Sequence, residues 1–241
     1  MSLTREQAAK KVMVALDYAS ADEAEQLLSQ LSGIPCYMKV GMQLFYAAGP
    51  AFVTKLKEAG YAVFLDVKMH DIPNTVKGGA KSIASLGVDM FNVHAAGGKA
   101  MMEAAKEGAA IVGGSMPVII AVTQLTSTNQ QVMNEEIGIA GSVEDAVIHY
   151  ALQAKQAGLA GVVASPVEVK NIKERCGSSF VTVTPGIRPV GANRDDQSRI
   201  MTPKDALLVG TDYMVIGRPI TQAENPREAI ETIIEEMISV E

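Results

Sequence analysis

Short runs of β-branched apolar residues alternate along this chain with stretches in which apolar residues recur at helical spacing. That is the pattern of a parallel sheet covered by helices. The runs predict strands over residues 11–16, 37–40, 62–67, 90–93, 118–122, 161–164, 181–184 and 213–216. Helical spacing covers 20–31, 51–59, 74–86, 99–112, 142–157, 167–174, 202–208 and 226–239. Ser20, Ser142 and Thr202 stand where N-caps belong, and Gly60, Gly87 and Gly158 where a helix hands over to a strand. Eight strands each followed by a helix close naturally into an α/β fold of the (β/α)8, or TIM, barrel type, with residues 1–241 as one domain. An open doubly wound sheet is the alternative, but no glycine-rich dinucleotide turn follows the first strand.

Length and charge agree with one such domain. The 241 residues carry a formal net charge of -6, which argues against a nucleic-acid or anionic-membrane partner, since either needs a basic surface. Any anionic substrate must therefore meet positive charge locally. The two cysteines, Cys36 and Cys176, lie far apart with no second Cys or His at ligand spacing, so neither a disulfide framework nor a zinc site is expected. The polar start and the absence of an apolar run of about 18 residues point to a cytoplasmic protein without export signal or membrane span.

A barrel places its chemistry at the C-terminal ends of the strands, and here those ends are polar. The first ends in Asp17, the second carries Lys39, the third ends Asp66-Val67-Lys68 and the fourth Asn92-Val93-His94. Thr123 with Thr126, Ser165, Thr184-Pro185-Gly186 with Arg188, and Gly217-Arg218 follow. The period of two puts Asp66 and Lys68 on one face of their strand, with Leu65 and Val67 on the other. Strand two lies alongside at about 4.8 Å, so Lys39 joins them. With Asp71 in the next loop, the array alternates in sign. It would hold a lysine cationic as a proton donor and leave a carboxylate facing a bound molecule. A structural ion-pair network is the competing reading, weakened by the cost of burying so many charges.

The string Asp66-Val67-Lys68-Met69-His70-Asp71-Ile72-Pro73-Asn74-Thr75 resembles the D-x-K-x-H-D-I-P-N-T motif of the orotidine 5′-monophosphate decarboxylase family. Val14-Ala15-Leu16-Asp17-Tyr18, Lys39-Val40-Gly41, Asn92-Val93-His94-Ala95, Thr184-Pro185-Gly186-Ile187-Arg188-Pro189 and Ile216-Gly217-Arg218-Pro219 extend the resemblance over nearly the whole chain. It implies decarboxylation of orotidine 5′-monophosphate to uridine 5′-monophosphate without metal or organic cofactor. Catalysis would fall to Lys68, Asp66, Asp71 and Lys39. It further implies a homodimer in which Asp71, Ile72 and Thr75 reach the partner's site. Asp17 and Lys39 would bind the ribose, Thr126 the pyrimidine, Arg188 the nucleotide, and Gln197 with Arg218 the phosphate.

Independently of the family, Gly217-Arg218 combines a close backbone approach with a cation, which suits a phosphate. Thr126 alone reads as a turn residue and Gln197 alone as an exposed loop residue. The polar segment 190–199 reads as a loop able to close over a ligand. His149 reads as a surface residue and His94 as hydrogen-bonded support for the charged network; neither His94 nor His70 enters the catalytic set. The main rival is a metal-dependent phosphosugar decarboxylase or synthase with a D-x-K-x-x-D core. Such relatives carry a magnesium-binding Glu where this chain has Lys39. A Schiff-base aldolase is disfavoured because a charge-paired ammonium is a poor nucleophile. A non-catalytic phosphate-ligand sensor is disfavoured because every charge needed for turnover is present.

Overall fold

The computed structural model describes residues 3–189 and 200–239. Eight parallel strands close into a barrel in sequence order: β1 (Val12–Leu16), β2 (Tyr37–Gly41), β3 (Ala62–Met69), β4 (Met90–His94), β5 (Val118–Val122), β6 (Gly161–Val163), β7 (Val181–Thr184) and β8 (Tyr213–Ile216), with β8 paired back to β1. The helices are α1 (Arg5–Ala9), α2 (Ala21–Leu31), α3 (Met42–Glu58), α4 (Pro73–Ser85), α5 (Gly98–Ala110), α6 (Val143–Gln156), α7 (Val169–Cys176), α8 (Pro203–Leu208), α9 (Arg218–Thr221) and α10 (Pro226–Ile238).

The period of two sorts each strand between two cores. Outward residues such as Val14, Leu16, Val40, Leu65 and Val93 pack under the helices in the larger apolar cluster. Inward residues fill the barrel: Tyr37 and Tyr213 meet edge to face at 5.5 Å, and Met13, Phe64, Met90, Ile120 and Val183 form a buried apolar layer with them. One inward step further along the chain direction come Lys39, Asp66 and Asn92. The apolar plug is thus the floor on which the charged residues stand.

Local signals act as the sequence suggests. The hydroxyls of Ser20, Ser142 and Thr202 accept the N–H of Glu23, Asp145 and Asp205, capping α2, α6 and α8. Gly87 and Gly158 take φ of 72° and 74° at the ends of α4 and α6, a region that costs other residues.

One helix departs from the expectation. The spacing predicts residues 51–59, whereas α3 begins at Met42, directly after β2. Its two parts meet at Gly49, whose φ of 69° breaks the helix, and Pro50 restarts it. Pro suits a first helical turn, so Gly49-Pro50 imitates a helix start and masks the turns before it.

Candidate active site

Charge gathers at the C-terminal end of β1, β2 and β3. The Lys68 ammonium lies 2.7 Å from Asp66 Oδ1, and the Lys39 ammonium bridges Asp66 Oδ2 at 3.4 Å and Asp17 Oδ1 at 3.1 Å. Within one chain the alternating array is therefore Asp17, Lys39, Asp66, Lys68. Its place in the sequence suggests Asp71 as a further member, but Asp71 is exposed and its Oδ1 accepts the N–H of Ile72 at 2.7 Å.

Asp66 and Lys68 meet as the strand period requires, yet the strand between them is not regular. The register of β3 against β4 shifts between Leu65 and Met69, as at a β-bulge. Lys68 is the one non-glycine residue with positive φ, 50°, among the described residues. Asn92 on β4, fully buried, grips both sides of this irregularity. Its Nδ2 donates to Asp66 Oδ1 at 2.7 Å, and its Oδ1 accepts the Lys68 backbone N–H at 2.8 Å.

Electrostatics follow from burial and pairing. Lys39 is 6% exposed; burial opposes its charge, but Asp66 and Asp17 outweigh that and hold its pKa above the ordinary lysine value. Burial likewise opposes ionisation of Asp66, and Lys39, Lys68 and the bond from Asn92 outweigh it, so its pKa lies below the ordinary carboxylate value. The centre thus presents an ionised carboxylate at neutral pH.

A cavity of about 770 Å3 opens above it. Asp17, Lys39, Asp66, Lys68, Thr126, Arg188, Gly217 and Arg218, all expected site residues, line it. Phe64, Val163 and Val215 continue its wall down to the apolar plug. Arg188 is buried with its Nη1 donating to the Ile187 carbonyl. Arg218 begins α9 directly after β8, where Gly217 approaches the cavity. Chemically, this is a volume lined by the cations Arg188 and Arg218 and by the ion pairs of Asp66 with Lys39 and Lys68.

Residues 10–233 match the model described as "Orotidine 5'-phosphate decarboxylase / HUMPS family". The chain belongs to this family. Relatives named orotidine 5'-phosphate decarboxylase from Bacillus cytotoxicus and Bacillus mycoides are each 53% identical over 227 residues, spanning 93% of this chain and 95% of theirs. The crystal structure of orotidine 5'-phosphate decarboxylase from Lactobacillus acidophilus superposes with a TM-score of 0.85 at 43% identity, covering 95% of this chain and 99% of that one. That of an uncharacterized conserved protein from Geobacillus kaustophilus gives 0.84 at 47% identity, covering 94% and 99%.

Not every expected member of an orotidine 5'-phosphate decarboxylase site lies in this cavity. Asp71, Ile72 and Thr75 stand outside it, exposed at the start of α4, with Ile72 68% exposed. Gln197 and the expected closing segment fall in 190–199, outside the described residues. The sequence suggests that His94 supports the network by a hydrogen bond; instead its ring lies 5.6 Å from that of His70. Burial, and then His70 and Lys68, lower the His94 pKa, favouring the neutral ring. His149 is at the surface beside Gln153. Tyr18, Gln124, Ser127 and Gln222 also line the cavity, beyond the residues expected there. Gln124 and Ser127 belong to the same polar strand end as Thr126, a signal the sequence does carry. Among the described residues there is no group of three or more His, Cys, Asp or Glu side chains able to hold a metal ion.

Proposed function

We propose that this chain removes the C6 carboxylate of orotidine 5′-monophosphate as CO2, giving uridine 5′-monophosphate for pyrimidine synthesis, with Lys68 as the proton donor. The observation that carries this reading is the Lys68 ammonium 2.7 Å from an ionised, buried Asp66, both lining the cavity. The C6–carboxylate bond breaks, its electron pair stays on C6, and CO2 leaves. The Lys68 ammonium stabilises that developing carbanion and then transfers a proton to C6, forming the C–H bond. The neutral amine regains its proton from solvent.

Asp66 contributes twice. It fixes the ammonium, and its negative charge disfavours a second carboxylate beside it until CO2 departs. Stabilisation of the transition state by Lys68 is preorganised in this reading, because Asp66 holds the ammonium in place before the reaction begins. Asp17 and Lys39 suit the ribose hydroxyls, Thr126 the pyrimidine, and Arg188, Gly217, Arg218 and Gln197 the nucleotide and its phosphate. Binding energy from the phosphate is available to organise the site around the reacting carbon.

Lys39 separates this reading from that of metal-dependent relatives. A buried ammonium paired to Asp17 and Asp66 stands where those enzymes place a magnesium-binding carboxylate. The reaction we propose therefore needs no metal. The working unit in this reading is a cytoplasmic homodimer of one-domain chains, each lending Asp71, Ile72 and Thr75 to its neighbour. Their exposure at the start of α4 supports it, and no helix of the described residues is long and apolar enough to cross a membrane. The test is the loss of orotidine 5′-monophosphate absorbance with and without exhaustive chelation. Equal rates are expected; a rate restored only by Mg2+ contradicts the proposal.

A further inference from the structure

We infer that Asn92 is a positioning residue for the decarboxylation, holding Asp66 and Lys68 in the one relative geometry that the reaction uses. The inference rests on the function proposed above, and it assigns a role to a side chain that does not line the cavity.

Asn92 is fully buried on β4, facing into the barrel between the apolar plug and the charged centre. Its two hydrogen bonds fix which way its amide points. The Lys68 backbone N–H can only donate, so the oxygen must face it at 2.8 Å. The ionised Asp66 can only accept, so the amide nitrogen must face it at 2.7 Å. No other side chain of this length offers an acceptor and a donor on one planar group at every pH; aspartic acid does so only while protonated.

Each bond addresses a different liability of the site. Lys68 lies at φ 50°, which an L-residue with a side chain holds only when its surroundings determine it. The bulge has taken its N–H out of the regular ladder with β4, and Asn92 Oδ1 supplies the missing acceptor from the same strand. On the other side, Asp66 Oδ1 receives both Lys68 Nζ and Asn92 Nδ2, while Oδ2 faces Lys39. The amide thereby sets the rotation of the carboxylate, and the carboxylate sets the height of the ammonium.

Asn92→Asp gives the sharpest test, because it keeps the shape and makes the donor depend on pH. Protonated, the new acid donates to Asp66 and accepts from the Lys68 N–H, reproducing both bonds. Ionised, it repels Asp66. The charged and titratable groups facing this point are Asp66 and Lys68 from β3, Lys39 from β2, and His94 with His70 beside them. All are present in the unmodified enzyme, so an ionisation seen only in the variant belongs to the new acid at position 92 and the Asp66 carboxylate it is paired with. We expect the kcat of Asn92→Asp to fall with rising pH through a step that the unmodified enzyme lacks, and kcat of Asn92→Ala to fall about 100-fold at every pH. Binding of uridine 5′-monophosphate should change little in either. A pH profile for Asn92→Asp parallel to that of the unmodified enzyme, or near-normal kcat in Asn92→Ala, overturns the role. Crystal structures of both variants give a readout free of turnover. Position 68 should leave positive φ, or its ammonium should move off Asp66, in Asn92→Ala; an unchanged Lys68 and Asp66 overturns the inference even if another substrate proves to be the right one. Failure of the unmodified enzyme to consume orotidine 5′-monophosphate overturns only the functional reading.

Discussion

The Lys68 ammonium stands 2.7 Å from the Asp66 carboxylate on a backbone turned to φ 50°. Left-handed backbone costs a residue with a Cβ roughly 1–2 kcal/mol, and glycine almost nothing. The pair is therefore held at some expense to the fold, as strained residues at reacting centres are.

A stability comparison isolates that strain. Lys68→Ala and Lys68→Gly both lose the ammonium and its bond to Asp66, and differ in whether position 68 tolerates positive φ. Lys68→Gly is expected to be the more stable by about 1 kcal/mol, the reverse of the usual order within a strand. Urea unfolding of the two variants measures the difference; a more stable Lys68→Ala contradicts the strained backbone.

Asp66 makes stability depend on pH with a definite sign. Its folded pKa lies below the ordinary value of 3.8, so its ionised form stabilises the fold above that value. The contribution is lost as pH falls toward the lowered folded value. Relative to Asp66→Asn, the unmodified protein should keep a constant advantage from about pH 7 to about pH 5 and lose it below about pH 4. Thermal unfolding across this range supplies the test. Parallel curves down to about pH 3 would mean that Asp66 is not held ionised by its neighbours.

Much of this arrangement is legible in the sequence because it depends on local period and order. Eight apolar runs locate eight strands, and the strand-end rule then finds Asp17, Lys39, Asp66, Lys68, Thr126, Arg188 and Gly217 without any long-range information. What escapes is tertiary. The bulge at Lys68 and the grip of Asn92 depend on the register of β4 against β3, which alternation along either strand does not encode. Gly49-Pro50 conceals the first turns of α3 by resembling a helix start. Asp71 follows the other charges closely in sequence, yet the turn into α4 carries it out to solvent.

The position of Asp71 leads to a prediction about mixed subunits. In the shared-site reading, a Lys68→Ala chain keeps a good Asp71 and an Asp71→Ala chain keeps a good Lys68. A heterodimer then assembles one site with both residues intact and one lacking both. Mixing the two nearly inactive variants under conditions that exchange subunits should restore up to half the activity per heterodimer. Native mass spectrometry establishes the exchange; confirmed heterodimers without recovered turnover reject the shared site.

If Lys68 acts on C6 of orotidine 5′-monophosphate, its removal must stop the chemistry and spare the binding. Lys68 lines the cavity from β3, whereas Arg188, Gly217 and Arg218, proposed to grip the nucleotide, line it from the ends of β7 and β8. The Lys68→Ala variant should therefore still bind uridine 5′-monophosphate while its kcat falls by about 10,000-fold or more, combining a lost general acid with lost electrostatic stabilisation. Decarboxylation by Lys68→Ala within about tenfold of the unmodified enzyme, a barrier change of only ~1.4 kcal/mol, would place the proton donor elsewhere and contradict the proposed role of Lys68.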